Sequence, residues 1–144
     1  VKIRKREKRG FKWIYVLLYL TGATLFVLSH WIRVTTAVGL QHHPIEFWSR
    51  VAHVTMSYIG VLALGFLVKA HVMPGLKGKL KTKSGLTVLA VLLTMIGTAV
   101  GVLYGSGEAE ELSLVAWVHA LLGLSTPVFI AVHLLTRMPE RPKR

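Results

Sequence analysis

Cysteine is absent from all 144 residues. That absence excludes disulfides, thiolate-held iron–sulfur clusters, a C-x-x-C-H haem attachment site and a cysteine nucleophile. Acid is scarce as well. Six Asp and Glu stand against eighteen Lys and Arg, for a formal charge of +12. Charged residues make up only 17% of the chain, while 53% is hydrophobic. A soluble basic domain spreads its charge over its surface and carries fewer apolar residues. A disordered basic chain is poor in Leu, Val and Ile, and this one is rich in them. A high apolar fraction with clustered charge points to a small integral membrane protein. Long polar connections are also lacking, so there is no room for a water-soluble domain.

The apolar residues fall into four runs, at about residues 11–32, 47–72, 86–104 and 112–136. Each approaches the ~20 residues that an α-helix needs to cross ~30 Å of hydrocarbon. The strict alternation of a membrane β-barrel is missing. The first run follows seven cations within twelve residues, as a signal peptide would. It is too long for an h-region and has no small-residue cleavage pattern before Arg33, so it reads as a retained span. The connections of about fourteen, thirteen and seven residues are short. Short links favour antiparallel neighbours. The expected fold is therefore all-α: an integral membrane up-down-up-down four-helix bundle, with residues 1–144 as one transmembrane domain.

Charge sorts by side. The N-terminal arm, Lys69, the lysines at 77, 79, 81 and 83 and the C-terminal tail bring sixteen cations to one face, against Glu7 and Glu140. The opposite face carries Arg33 and Arg50 against Glu46, Glu108, Glu110 and Glu111. The positive-inside rule places the basic face in the cytoplasm. A multi-pass protein of the cell's cytoplasmic membrane with both termini inside is expected. Its basic arm records topology and meets the lipid bilayer; it does not mark nucleic-acid binding.

Seven histidines are the abundant residues with redox or metal chemistry. His119 and His133 are fourteen apart on the fourth span, within ~40° of one face and ~21 Å apart in rise. His53 and His71, eighteen apart on the second, return to the same face ~27 Å apart. The second and fourth spans run in the same direction. His53 matches His119 in depth, and His71 matches His133. Two imidazoles on either side of a flat macrocycle are the axial ligation of a b-type haem. The pattern thus suits two haems, an outer one on His53 and His119 and an inner one on His71 and His133. Gly60, Gly65 and Gly123 leave room for a macrocycle. Arg33, Arg50 and Lys69 are candidate propionate partners. His30 is a second candidate for the outer ligand, or a contact for a quinone oxygen. His42 and His43 are left without a role. Two imidazoles per level make a poor tetrahedral zinc site, and no carboxylate lies inside the spans for a proton relay. Pro127 is expected to free the Gly123 carbonyl.

The halves of the chain look alike. Residues 17–24, LLYLTGAT, line up with residues 92–99, LLTMIGTA, and Trp48 and His53 face Trp117 and His119. This suggests a repeated helix pair.

Four spans with paired histidines, including the Trp117-Val118-His119…His133 spacing, resemble the cytochrome b561-type and related di-haem membrane cytochrome b subunits. Those include the cytochrome b subunits of respiratory formate dehydrogenases and nickel–iron hydrogenases. The resemblance covers residues 13–137. It departs at the cytoplasmic start of the first helix, where the formate dehydrogenase-like subunits carry a haem ligand and this chain has Lys12 and Trp13. The resemblance implies an electron-transfer subunit of a larger respiratory oxidoreductase complex, with two b haems and quinone or quinol as substrate. The iron–sulfur or c-type haem centres of the donor or acceptor then belong to a partner subunit, expected on the outer face. The rival expectations are a non-redox membrane anchor or assembly subunit, and a haem or metal transporter.

Overall fold

A computed structural model describes residues 4–77, 83–105 and 114–136. Lys2, Lys79, Lys81, Glu108, Glu110, Glu111, Glu140 and the cations at 137, 141, 143 and 144 lie outside the described residues. Four helices are long and apolar enough to cross a membrane, namely Lys5–Trp31, Pro44–Lys77, Lys83–Tyr104 and Leu114–Leu135. The chain divides into two compact units, residues 1–79 and 80–144.

The first unit opens with α1, Lys5–Trp31. It begins six residues before the apolar run, because Lys, Arg and Glu are good helix formers. The Glu7 carboxylate also accepts from the Arg4 backbone N–H at 2.8 Å, satisfying a donor that the helix start leaves open. α1 stops at Ile32, which is extended. The connection expected to be a plain loop is a β-hairpin. β1, Arg33–Thr36, pairs antiparallel with β2, Gly39–His42, with Thr36 opposite Gly39. Gly39 has φ 109°, a conformation costly for any residue with a side chain.

α2 spans Pro44–Leu67. Pro44 is preset for the first helical turn, and His43 caps it, Nδ1 accepting from the Ile45 N–H at 3.1 Å. The axis then continues through a π turn, Val68–Val72, into the short α3, Met73–Lys77. α1 and α2 pack against each other, with the Phe11 and Phe66 rings 5.6 Å apart near the start of α1 and the end of α2. Leu28 is the buried apolar side chain among the described residues.

The second unit is a helix pair, α4 (Lys83–Gly105) and α5 (Leu114–Leu135). Pro127 lies inside α5 and has no N–H for the Gly123 carbonyl. The chain repairs this locally. The buried Thr126 hydroxyl donates to that carbonyl at 2.7 Å. Apolar side chains remain on the outside of both units, including Leu62 (76% exposed), Tyr104 (85%) and Leu114 (79%).

Candidate functional site

His53 leaves α2 toward α1. Its Nδ1 lies 3.3 Å from the Thr21 hydroxyl. The ring rests on Gly22, where a Cβ would stand 2.8 Å from His53 Cε1. Glycine is required there because the ring occupies the volume of a side chain. The Thr21 hydroxyl donates its one proton to its own helix, with Leu17 O at 2.9 Å and Leu18 O at 3.0 Å. These contacts are shorter than the one to the imidazole. With its proton engaged there, the oxygen offers His53 a lone pair, which suits a hydrogen on Nδ1.

The second unit repeats the arrangement. His119 Nδ1 lies 3.0 Å from the Thr98 hydroxyl of α4. Thr98 in turn donates to Thr94 O at 2.9 Å or Met95 O at 3.1 Å. The His119 ring also bonds the Met95 backbone. A carbonyl accepts only, so the ring turns an N–H toward this part of α4. At the other end of the pair, His133 Nδ1 lies 3.3 Å from Ser84 Oγ. The Thr136 hydroxyl is spent on Val132 O at 2.9 Å. Ser84 Oγ also lies 2.8 Å from the Thr136 hydroxyl.

Three of the four expected ligands thus share one design. Each Nδ1 lies within hydrogen-bond distance of a hydroxyl on the preceding helix; with Nδ1 as the donor, the lone pair sits on Nε2. That is the tautomer a metal takes, and such a partner fixes the ring's orientation. Thr21, Thr98 and Ser84 were not singled out as site residues from sequence. The only signal available was a hydroxyl residue on the preceding span at matching depth. In the internal alignment Gly22 faces Gly97, which puts Thr21 and Thr98 two positions out of step, so the repeat hides their equivalence.

His71 sits inside the π turn with Lys69. An unbroken α-helix returns residue 71 to the face of His53. A π turn advances by fewer degrees per residue than an α-helix, so the phase between His53 and His71 departs from that of an unbroken α-helix. His53 and His71 belong to the first unit, His119 and His133 to the second.

His30 passes the same tautomer test. Its Nδ1 donates to Phe26 O at 2.7 Å, and its ring packs on Phe26 with centroids 4.4 Å apart. Two of the expected macrocycle glycines face their own partner helix. A Cβ on Gly60 would meet Leu18 Cδ2 at 3.1 Å, and one on Gly123 would meet Met95 Cε at 3.4 Å. They serve helix packing. Gly65 alone of the three has no neighbour within 4 Å of that point.

The end of the first unit where α1 passes through the hairpin into α2 is organised by Glu46, which is 3% exposed. Its carboxylate accepts from Ser29 Oγ at 2.9 Å, from Arg50 Nη2 at 3.1 Å and from His42 Nδ1. Arg33 donates to Ser29 O at 3.1 Å. This junction ties α1, the hairpin and α2 together. It gives His42 and His43 structural roles. The propionate candidates Arg33 and Arg50 both lie at this end, while Lys69 is exposed near the other.

Among the described residues no three His, Cys, Asp or Glu side chains come close enough to hold a metal ion by themselves. No family model, curated protein or solved structure matches the chain.

Proposed function

We propose that the chain is a membrane di-haem b-type cytochrome subunit. In this reading it carries electrons across the membrane between a partner redox protein and the quinone pool. The observation that supports it most is the hydroxyl partner on Nδ1 of His53, His119 and His133. An axial ligand needs a partner that fixes its tautomer and ring direction, and a hydroxyl on Nδ1 supplies one. Four apolar helices and the exposed apolar faces fit a chain solvated by lipid. The proposed topology is an up-down-up-down bundle in the cytoplasmic membrane, both termini inside.

His53 and His119 would hold the outer haem, His71 and His133 the inner one. π turns are frequent at functional sites, which suits the placement of His71. A b haem bound at each level supplies a one-electron iron couple. The chain's own part is to fix imidazole direction through Thr21, Thr98 and Ser84, to exclude water and to neutralise propionates. Arg33 and Arg50 would do the last at the outer level and Lys69 at the inner level. His30, prepared in the same tautomer, is the alternative outer ligand or a quinone contact. The donor or acceptor centres would be held by a partner subunit on the outer face.

The purified chain, expressed with an adequate haem supply, should give a reduced-minus-oxidised b-type spectrum and two haems per chain. His53→Ala or His119→Ala should remove one haem, and His71→Ala with His133→Ala the other. A colourless, stably folded preparation overturns the proposal. Loss of the outer haem in His30→Ala but not in His53→Ala moves the outer ligand to α1.

A further inference from the structure

We propose that Lys8, Arg9, Lys12 and Trp13 form a cradle for the phosphodiester headgroup of an anionic phospholipid. The inference rests on the membrane reading of α1 and is independent of haem.

α1 has 27 residues, which at 1.5 Å per residue is about 40 Å. The hydrocarbon layer is about 30 Å thick, so two turns extend into the headgroup region. The turns with the cations are the ones that extend. Positions 5, 8, 9 and 12 have the i, i+3, i+4, i+7 spacing and share one helix face. Lys8, Arg9, Lys12 and Trp13 line one surface concavity, and all four are exposed. Glu7 is the acid of this helix, and its carboxylate is engaged by the Arg4 N–H. The cradle is thus a face of like charges one turn apart, an arrangement that destabilises a bare helix and that an anion relieves.

The chemistry on offer matches a phosphodiester. The Arg9 guanidinium can bind two phosphate oxygens at once, while Lys8 and Lys12 act as point charges. Trp13 suits the interface itself, with one polar edge and an apolar body. The next two turns of the helix select a lipid over free phosphate. Trp13, Leu17 and Leu20 continue at i, i+4 and i+7 and are 59%, 47% and 54% exposed. The cradle therefore opens into an apolar stripe that runs toward the membrane interior. A headgroup held by the cations would lay its acyl chain on that stripe.

The test uses the full chain in detergent with an equimolar mixture of phosphatidylglycerol and phosphatidylcholine, and bound lipid is read by native mass spectrometry. Wild type should retain phosphatidylglycerol selectively. At about fivefold in affinity per cation, K8Q/R9Q/K12Q should bind it on the order of a hundredfold more weakly. The charge-matched control R6Q/K77Q/K83Q removes three cations from outside the cradle and should weaken binding clearly less than the cradle variant does. All six positions are exposed, and circular dichroism should report unchanged helix content in both variants. The cradle is overturned if wild type shows no preference, if the control falls as far as the cradle variant, or if millimolar inorganic phosphate displaces the lipid. A chain that stays monodisperse in water and fails to float with vesicles overturns the membrane reading and the cradle with it. Lipid indifference in a chain that does float overturns the cradle alone.

Discussion

Replacing Thr98 by Val separates a ligand-orienting hydroxyl from a helix-packing one, because the two roles differ in size. Interhelical hydrogen bonds within membranes average about 0.6 kcal/mol and reach about 1.7 kcal/mol. If the 3.0 Å bond to His119 only packs α4 on α5, its loss should lower stability by that amount and do nothing specific to a cofactor. If it orients an axial ligand, its loss should weaken metal binding 10–100-fold, or about 1.4–2.7 kcal/mol. His119 also bonds the Met95 backbone, which retains part of the orientation and places the expected loss toward the low end, near tenfold. Haem titration of the apo-protein, followed in the Soret band, gives the affinity, and unfolding in mixed micelles gives the stability. Thr98→Ser should restore most of the affinity, since the hydroxyl can still back-bond to Thr94 O and accept from Nδ1. An unchanged haem affinity together with a loss of roughly 0.6 kcal/mol in stability would refute the orienting role. Equal haem loss in Thr98→Ser and Thr98→Val would refute it too.

The other contacts supply further tests. Gly22→Ala puts a methyl 2.8 Å from Cε1 of the His53 side chain, so the ring must move. It should perturb the outer-haem spectrum, whereas Gly97→Ala, which meets nothing within 4 Å, should be silent. Thr126→Val removes the hydroxyl that satisfies the Gly123 carbonyl beside Pro127. It should cost about 1–3 kcal/mol in unfolding measurements. Pro127→Ala restores the backbone N–H and should rescue most of that loss; failure of the rescue would sink the account. Glu46→Gln removes the charge that gathers His42, Arg50 and Ser29. A two-stranded hairpin is marginal alone, so exchange of the amides over residues 33–42 should quicken by roughly tenfold, for about 1.4 kcal/mol. The middle of α1 and α2 should exchange as before.

The four spans were legible because an apolar run long enough to cross a bilayer has few other uses. Their ends were less so. Hydropathy sees Phe11 as the start of α1, but Lys5, Arg6 and Lys8 are already helical, held by propensity and the Glu7 contact. The hairpin had local signals in Val34, Thr35, Thr36 and Gly39, but a strand this short forms only where its partner and the Glu46 junction meet it. The π turn at 68–72 left no readable trace, since it changes helix phase without changing composition. The expected alignment of His71 with His53 assumed α phase throughout. Gly60 and Gly123 were read as room for a macrocycle, and a Cβ at each would meet a side chain of the neighbouring helix. Sequence marks where a side chain is missing, and only packing tells whether another helix or a cofactor fills the gap.

By itself the sequence determined that this is a cysteine-free helical chain of four apolar runs. It also fixed the spacing of the histidines along each run, which needs only a count of residues. The tertiary structure alone decided which atoms those histidines meet. Thr21 is 32 residues from His53, and Ser84 is 49 from His133. Such pairs come together only when two helices choose the faces they bury. That choice set a hydroxyl beside Nδ1 of three of the four imidazoles, while the fourth, His71, lies in a π turn.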